Sequence, residues 1–478
     1  MTMRDGCTPG ARKANGGYDL VVIGAGSAGF SAAIAAAELG ADVALIGHGT
    51  IGGTCVNVGC IPSKTMIRAT ETLYHARDAS RFEGILAQGR ILDWRAVVRQ
   101  KDELAASLRQ AKYVDLLPGY DAIAYLEGEA RLTDAGVAVD GDLVRAGKLI
   151  FATGAAPALP SIPGIESVPY LTSTTALELE RLPNSLLVIG GGYVGCELGQ
   201  MFARAGVKVT IVARRRLLPE AEPEISEALA RYFADEDITV RCRLSYRQIA
   251  RTPDGIALSI LIDGSPETIK AERALIATGR RPNTAGFGLT EAGVALLPNG
   301  GVKIDDRMRT SKLGVYAAGD VTGRDEFVYM AAYGARIAAE NALNGDAKRY
   351  DATAMPSVVF TDPQVASVGL TEIEARDRGI EARTSSLELR HVPRALAARD
   401  TRGLIKLVAD ARSGTLLGAH VLAPEGADSI QTAALAIRCG LTVEQLAETI
   451  FPYLTTVEGL KLTAQTFAKD VAKLSCCA

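Results

Sequence analysis

Along the chain, the apolar run Leu20-Val21-Val22-Ile23 stops at a cluster of glycines, then an alanine-rich stretch continues to Leu39-Gly40, and a second apolar run ends at Ile46. β-Branched residues, then glycines, then strong helix formers predict a strand, a tight turn, a helix and a second strand. The same order returns at 185–195, with a helix to Ala205-Gly206 and a strand at 208–212. Short strands ending in turns, 150–154 and 276–279, close each unit. Strand–helix–strand units of this spacing form right-handed parallel crossovers, so two of them predict two doubly wound, Rossmann-like dinucleotide-binding domains. From about Met355 the pattern changes to alternating strands around 357–360, 403–408 and 414–421, then helices from Ser429 and Val443. That mixture predicts an α+β domain. The expected fold class is α/β: a first nucleotide domain at 18–160 and 286–354, a second at 161–285, and the α+β domain at 355–478. Residues 1–17 read as a flexible, glycine-rich tail.

A chain of 478 residues is too long for one hydrophobic core, and 48% hydrophobic with 22% charged residues is the balance of a globular protein. Fifty-two basic residues against fifty-five acidic ones leave a net charge of −3, which supplies no global field for nucleic acid. The uncharged stretch 20–37 is long enough to raise the question of a membrane helix, but Gly24, Gly26, Ser27 and Gly29 interrupt it. Asp5 and Asp19 argue against a signal peptide, so a soluble cytoplasmic protein is expected.

The two glycine clusters carry chemistry. Gly24-x-Gly26-x-x-Gly29 sets a helix N-terminus and bare amides against a pyrophosphate: Gly24 turns, Gly26 permits close approach, Gly29 packs helix on strand. A flexible glycine loop is the competing reading, and the flanking strands and helix argue against it. An acidic residue ordinarily ends the second strand to hold the ribose hydroxyls; here Gly47-His48 stands there, leaving backbone groups near Gly47 and Gly49 for that end. The second loop is Gly190-x-Gly192-x-x-Gly195, and its second strand ends at Ala213 followed by Arg214-Arg215-Arg216. Losing the carboxylate removes repulsion, and guanidinium groups can fork onto a 2′-phosphate, so NADPH is expected over NADH. A solvated basic run is the alternative.

Eight cysteines, at 7, 55, 60, 196, 242, 439, 476 and 477, are too sparse for a disulfide-stapled scaffold. Cys196, Cys242 and Cys439 lie in apolar or mixed runs and read as small core residues, whereas Cys7 has no clear role. In Gly52-Gly-Thr-Cys55-Val-Asn-Val-Gly-Cys60-Ile-Pro-Ser-Lys64, a regular helix would place the two sulfurs about 7.5 Å apart along its axis and on different faces. A bridge between them requires a bend, which Gly59 allows, and a bent helix start is also expected to lower a thiol pKa. Neither His48 nor His75 completes a zinc set, so a redox dithiol is the strong reading.

That run, with Tyr316-Ala-Ala-Gly-Asp320, resembles the flavin-dependent pyridine nucleotide–disulfide oxidoreductase family, from residue 18 to the C-terminus. The resemblance implies FAD, with Thr54, Lys64, Ala130, Asp320 and Val328 lining it, Lys64 near its reactive edge, and Glu197 near the nicotinamide. Disulfide-reducing members carry His-Pro-Thr and then Glu near the C-terminus, where the histidine shuttles protons; here the segment reads Phe451-Pro452-Tyr453 and then Glu458. Lipoamide or glutathione disulfide should therefore be turned over poorly. Instead the chain ends Leu474-Ser-Cys476-Cys477-Ala478. Adjacent Cα atoms about 3.8 Å apart make a vicinal bridge strained, and paired mobile thiolates suit a soft metal ion.

These departures resemble the mercury(II)-reducing branch of the family, in which Tyr113 and Tyr453 correspond to active-site tyrosines. An ordinary half-buried residue is the alternative for Tyr113. The resemblance implies electrons passing from NADPH to FAD and on to Cys55–Cys60, with Cys60 against the flavin and Cys55 exchanging outward. It further implies a homodimer in which Cys476 and Cys477 of one subunit hand Hg(II) to Cys55 and Cys60 of the other, yielding Hg(0). A cysteine-rich metal-trapping segment found N-terminally in many members of the branch is not seen, Cys7 being the only cysteine there. Delivery then runs through the C-terminal pair or from small thiols. The competing activities are a dihydrolipoyl dehydrogenase-like disulfide reductase, which Phe451 argues against, and metal sequestration, for which Lys64 and two nucleotide loops would have no use.

Overall fold

The computed structural model describes residues 17–133 and 135–474, and the chain divides into two compact units. Met1–Thr65, Ala96–Ala158 and Gly279–Asp351 form the first; Met66–Arg95, Leu159–Thr278 and Ala352–Ala478 form the second.

The first unit is built on a parallel sheet. Strand Gly17–Ile23 lies between Val43–Gly47 and Asp142–Phe151, with Val21 opposite Ala44 on one side and Leu149 on the other. Ile123–Glu127 pairs beyond Val43–Gly47, and Val315–Ala317 beyond Asp142–Phe151, all parallel. Leu20, Val21 and Val22 are fully buried, as continuous apolar runs must be in a sheet covered on both faces. Helices Ser27–Glu38 and Val328–Asn344 cover one face, and alanines such as Ala32, Ala36, Ala335 and Ala338 pack there without bulk. The uncharged stretch 20–37 is thus part of a strand, a turn and a helix. Among the described residues no helix is long and apolar enough to cross a membrane.

In the second unit the plan repeats. Ser185–Ile189 lies parallel between Lys208–Val212 and Arg273–Ile276, and the helix Tyr193–Arg204 follows the glycine loop. An antiparallel meander, Leu244–Thr252, Gly255–Ile262 and Ser265–Ala271, packs Ile249, Ile256 and Leu258 against Leu187 and Ile189. The C-terminal region is a five-stranded antiparallel sheet ordered Pro356–Val359, Gln364–Gly369, Leu416–Ala423, Leu404–Asp410 and Ala382–Glu388. Helices Gly426–Arg438 and Glu458–Gln465 share its core.

Two expectations change, and the structure adds a strand that the pattern does not predict. The sequence places residues 66–95 in the first nucleotide domain, but they pack within the second unit. Tyr74 lies under the guanidinium groups of Arg204 and Arg402, at 4.0 and 5.3 Å, and Trp94 Nε1 donates to the Leu179 carbonyl at 2.7 Å. Strand Ala382–Glu388 is invisible to the hydrophobic pattern because Leu387 is its only fully covered residue. Cys196 is buried as expected, but Cys242 is half-buried and Cys439 is exposed, since it caps helix Gly426–Arg438 instead of facing the core.

Candidate active site

The dithiol segment is bent. Cys55 sits in the short helix Gly53–Asn57, which ends when Val58 N donates to the Thr54 carbonyl (3.0 Å); Cys60 opens a new helix, Cys60–Arg77. A Cβ on Gly59 would lie 2.9 Å from the Thr54 carbonyl oxygen, so glycine is required there by space. Both cysteines are half-buried free thiols. Lys64 stands one turn after Cys60, the first residue of that helix. A hydrogen bond with Cys60 and then burial push the Cys55 thiol far above its ordinary value, and Lys64 only partly opposes them. For Cys55 the shift runs opposite to the lowering expected of a bent helix start, because the hydrogen bond with Cys60 and burial together outweigh Lys64.

This segment lies directly on the first glycine loop. Gly52 N donates to the Ala25 carbonyl at 2.9 Å, and a Cβ on Gly53 would sit 2.7 Å from Gly26 Cα. Gly24 (φ +116°) makes the turn, and a Cβ on Gly29 would come within 1.7 Å of the Gly24 carbonyl oxygen. Gly26 caps helix Ser27–Glu38 without any side-chain partner, leaving amides bare, so the cradle fits a pyrophosphate. The Ala-Gly-Asp turn is pressed against the same helix: a Cβ on Gly319 would lie 3.0 Å from Ala28 Cβ. Asp320 opens the short turn Asp320–Thr322, Val328 opens helix Val328–Asn344, and Ala130, nearly buried, opens strand Ala130–Thr133. Thr54 is exposed on the dithiol helix and Gly49 in the turn after the second strand.

The structure also explains Gly47. A Cβ there would meet Tyr125 Oη at 2.4 Å and Ala25 Cβ at 2.8 Å. His48 Nε2 instead stands 3.9 Å from Glu129 Oε1, so the carboxylate near this strand end comes from a residue that no motif marks. Arg280 and Glu326 were missed for the same reason. Burial raises the carboxyl pKa of Asp320, and Arg280, 3.8 Å away, opposes it; burial and then Asp320 raise that of Glu326.

Tyr113 belongs to the same unit and packs at Gly52, the turn that leads into the Cys55 helix. It lies in a π-turn, Gln110–Val114, with its hydroxyl 3.1 Å from Ser27 Oγ and its ring edge-on to Phe30 at 4.9 Å. A Cβ on Gly52 would come 3.3 Å from its ring. Burial raises its phenol pKa; the Ser27 bond lowers it, and charge on Cys55 or Cys60 raises it again.

In the second unit, Gly190 (φ +121°) makes the turn, a Cβ on Gly195 would lie 2.0 Å from the Gly190 carbonyl oxygen, and a Cβ on Gly192 would meet nothing within 4 Å. The open N-terminus of helix Tyr193–Arg204 again fits a pyrophosphate. Glu197 is buried, and its Oε1 accepts from Phe360 N at 2.9 Å. Arg214 is exposed and Arg215 makes an exposed 2.9 Å pair with Glu220, whereas Arg216 is spent on the carbonyls of Pro219 (2.9 Å) and Ala221 (2.6 Å). An exposed pair contributes about 0–1 kcal/mol, so Arg215 is readily redirected to a phosphate. Phe451 packs half-buried against the C-terminal core and Tyr453 is exposed. Glu458 is buried and accepts from Leu454 N at 3.2 Å. Cys7, Cys476 and Cys477 lie outside the described residues.

The sequence profile of the pyridine nucleotide-disulphide oxidoreductase family matches residues 18–338, and that of the family's dimerisation domain matches 355–464. The chain is 48% identical over 475 residues to a mercuric reductase of Streptomyces lividans, covering 98% of this chain and 99% of that one. It is 45% identical over 463 residues to a mercuric reductase of Lysinibacillus sphaericus, covering 96% and 84%. Among solved structures it is similar to the HOCl-induced flavoprotein disulfide reductase RclA of Escherichia coli, with 30% identity, a TM-score of 0.82, and 95% and 100% of the two chains covered. LpdA of Mycobacterium tuberculosis gives 28% identity and a TM-score of 0.83 over 94% and 100%.

Proposed function

The chain belongs to the pyridine nucleotide-disulphide oxidoreductase family, and from that premise we propose that it is a flavoenzyme reducing Hg(II) to volatile Hg(0) with electrons from NADPH. The observation that carries this reading is the half-buried Cys55–Cys60 dithiol seated on the first glycine loop, with Tyr113 packed at the turn that leads into it, in a chain where Phe451 replaces the proton-shuttling histidine of the disulfide reductases. Bound FAD supplies a two-electron relay between NADPH and the dithiol. Gly24, Gly26 and Gly29 would hold its pyrophosphate, backbone groups at Gly49 its adenosine end, and Thr54, Ala130, Asp320, Val328 and Lys64 would line the flavin, with Lys64 near its reactive edge. Gly190, Gly192 and Gly195 would hold the NADPH pyrophosphate, Arg214 and Arg215 its 2′-phosphate, and Glu197 the nicotinamide side.

Cys55 and Cys60 then take Hg(II) as substrate. Each thiol gives up a proton as its Hg–S bond forms; two electrons, supplied in net by one NADPH, then convert the bound Hg(II) to Hg(0), both Hg–S bonds break, and the two sulfurs are left as thiolates that can take up protons again. Soft sulfur ligands select such an ion over harder divalent metals. The Tyr113 phenol stays protonated and steadies the ion beside the sulfurs. The dimerisation domain at 355–464 supports a homodimer, and we place the active site at its interface, with Tyr453, Cys476 and Cys477 from the second subunit delivering the metal. A cytoplasmic location, where NADPH and small thiols are abundant, belongs to the same reading.

The test is NADPH oxidation by the purified flavoprotein with Hg(II) in excess thiol, and separately with oxidised lipoamide and glutathione disulfide. Oxidation driven by Hg(II), with mercury lost to the headspace, is expected. Oxidation driven by a disulfide and inhibited by Hg(II) makes the protein a disulfide reductase instead. Two variants sharpen the assignment. Arg214→Ala with Arg215→Ala should raise KM for NADPH at least tenfold, the loss of about 1.5–3 kcal/mol of charged hydrogen bonding, while leaving KM for NADH nearly unchanged. An equal rise for both nucleotides removes these arginines from the 2′-phosphate site. Tyr113→Phe should lower kcat for Hg(II) about tenfold with KM for NADPH unaltered, since one hydroxyl is lost from the dithiol's surroundings. An unchanged kcat makes Tyr113 a packing residue.

A further inference from the structure

The loop that carries Cys55 is fastened by an asparagine of its own run, and that asparagine is held from outside by an arginine that no motif marks. Asn57 Nδ2 donates to the Ile51 and Gly53 carbonyls, each at 2.9 Å, and Asn57 Oδ1 accepts from Arg109 Nη1 at 3.0 Å. Both donors and the acceptor of the amide are therefore in use. The two carbonyls flank Gly52, whose own N–H is tied to Ala25 and whose φ is +99°. Asn57 is also the last residue of helix Gly53–Asn57, so the amide fastens the end of the Cys55 helix to the turn that leads into it. A charged donor makes a bond roughly twice as strong as a neutral one, and it dictates which way the amide faces.

Arg109 ends helix Trp94–Arg109 and is followed at once by the π-turn Gln110–Val114, closed by Asp115 N donating to the Gln110 carbonyl at 2.9 Å. Such turns re-aim the side chains around them and recur at functional sites. Here Arg109 on one side of the junction reaches Asn57, and Tyr113 on the other reaches Ser27 and packs at Gly52. One helix end thus touches the dithiol loop twice.

We propose that Arg109 is a positioning residue for the dithiol: acting through Asn57, it fixes the loop 51–57 and so holds Cys55 in register with Cys60. Arg109 is not a catalytic residue, because its partner is the Asn57 amide and neither sulfur. The inference rests on the redox role given to Cys55 and Cys60 above, and it is independent of mercury as the substrate.

The test uses the full-length protein at one fixed pH and measures the equilibrium between the Cys55–Cys60 dithiol and its disulfide against the reduced and oxidised glutathione couple, with the two forms counted by mass spectrometry. Holding Cys55 in register with Cys60 raises the effective concentration of one sulfur beside the other. With Arg109→Met the loop loosens, and the equilibrium constant for disulfide formation should fall about tenfold. Arg109→Lys, which retains one cationic donor, should lower it less, and kcat for Hg(II) should fall in the same order while KM for NADPH holds. A wild-type equilibrium constant in Arg109→Met overturns the proposal. Should that variant fail to fold, Arg109→Lys decides: an intermediate constant supports the proposal and a wild-type constant overturns it. If Hg(II) fails to drive NADPH oxidation in the native protein, the proposed function falls, and the dithiol–disulfide equilibrium still decides the role of Arg109.

Discussion

Cys55→Ser and Cys60→Ser are each expected to lower Hg(II)-driven NADPH oxidation by about a thousandfold, the scale of losing a residue that makes bonds to the reacting atom. A serine hydroxyl is a hard ligand that stays protonated at neutral pH, so it neither binds Hg(II) tightly nor exchanges it from a thiol complex. The native enzyme should also show a pH signature. Because the bond to Cys60 and burial hold the Cys55 proton, more of that sulfur becomes thiolate as pH rises, and kcat/KM for thiol-bound Hg(II) should climb from neutrality into alkali. Stopped-flow measurement of flavin reduction by NADPH separates the earlier half-reaction, which uses neither sulfur as a metal ligand. Retention of more than a tenth of the mercury-dependent rate in Cys55→Ser would remove the dithiol from the route.

The second large effect is on stability. Lys406 is only 3% exposed, and its ammonium donates to Glu222 (3.0 Å), Glu224 (2.9 Å) and Glu372 (3.0 Å); Glu222, 1% exposed, also accepts from Glu372 N at 2.7 Å. His420, equally buried, stands 3.9 Å from Glu222. Lys406→Met leaves that carboxylate buried and unpaired, a loss of about 3–5 kcal/mol. Burial alone would lower the Lys406 pKa, but the three carboxylates outweigh it and raise the value, so its contribution is complete at neutral pH and is lost only as pH rises through the raised value. Burial likewise opposes the lowering of the Glu224 pKa, but its backbone hydrogen bond and Lys406 prevail. Its share is present above the unfolded carboxylate range and fades as pH falls through the lowered value. The Glu224 share is lost to the native protein as pH falls and is absent from the variant throughout, so the gap in denaturant midpoint between native and Lys406→Met protein should narrow as pH is lowered from 7 through the lowered Glu224 value. A gap that stays constant over that range would mean the ion cluster contributes nothing through charge.

Much of this was legible in residue order. The strand–glycine–helix–strand runs require parallel crossovers, because apolar strands alternating with amphipathic or alanine-rich helices can bury both faces of a sheet in no other simple way. The five-residue spacing of Cys55 and Cys60 already demanded a bend, and the bend is there. Such features are local: chain stiffness and hydrogen-bond reach settle them within a dozen residues. Groups brought in from distant segments left no local signal. Arg109 reaches Asn57 across 52 positions, Ser27 meets Tyr113 across 86, and Arg280 faces Asp320 across 40. The direction of the Cys55 shift is open in residue order for another reason: a helix start and a sulfur five residues on are both local and pull a thiol oppositely, and burial, which only packing supplies, adds to the rise. Gly47 shows the limit most plainly. From the sequence it is a missing carboxylate, while in the folded unit it is the one residue small enough to lie beneath Tyr125 and Ala25. The sequence determined the fold class and where the Cys55–Cys60 pair sits in the chain; excluded volume and burial, which exist only once the chain has closed on itself, decided what surrounds that pair.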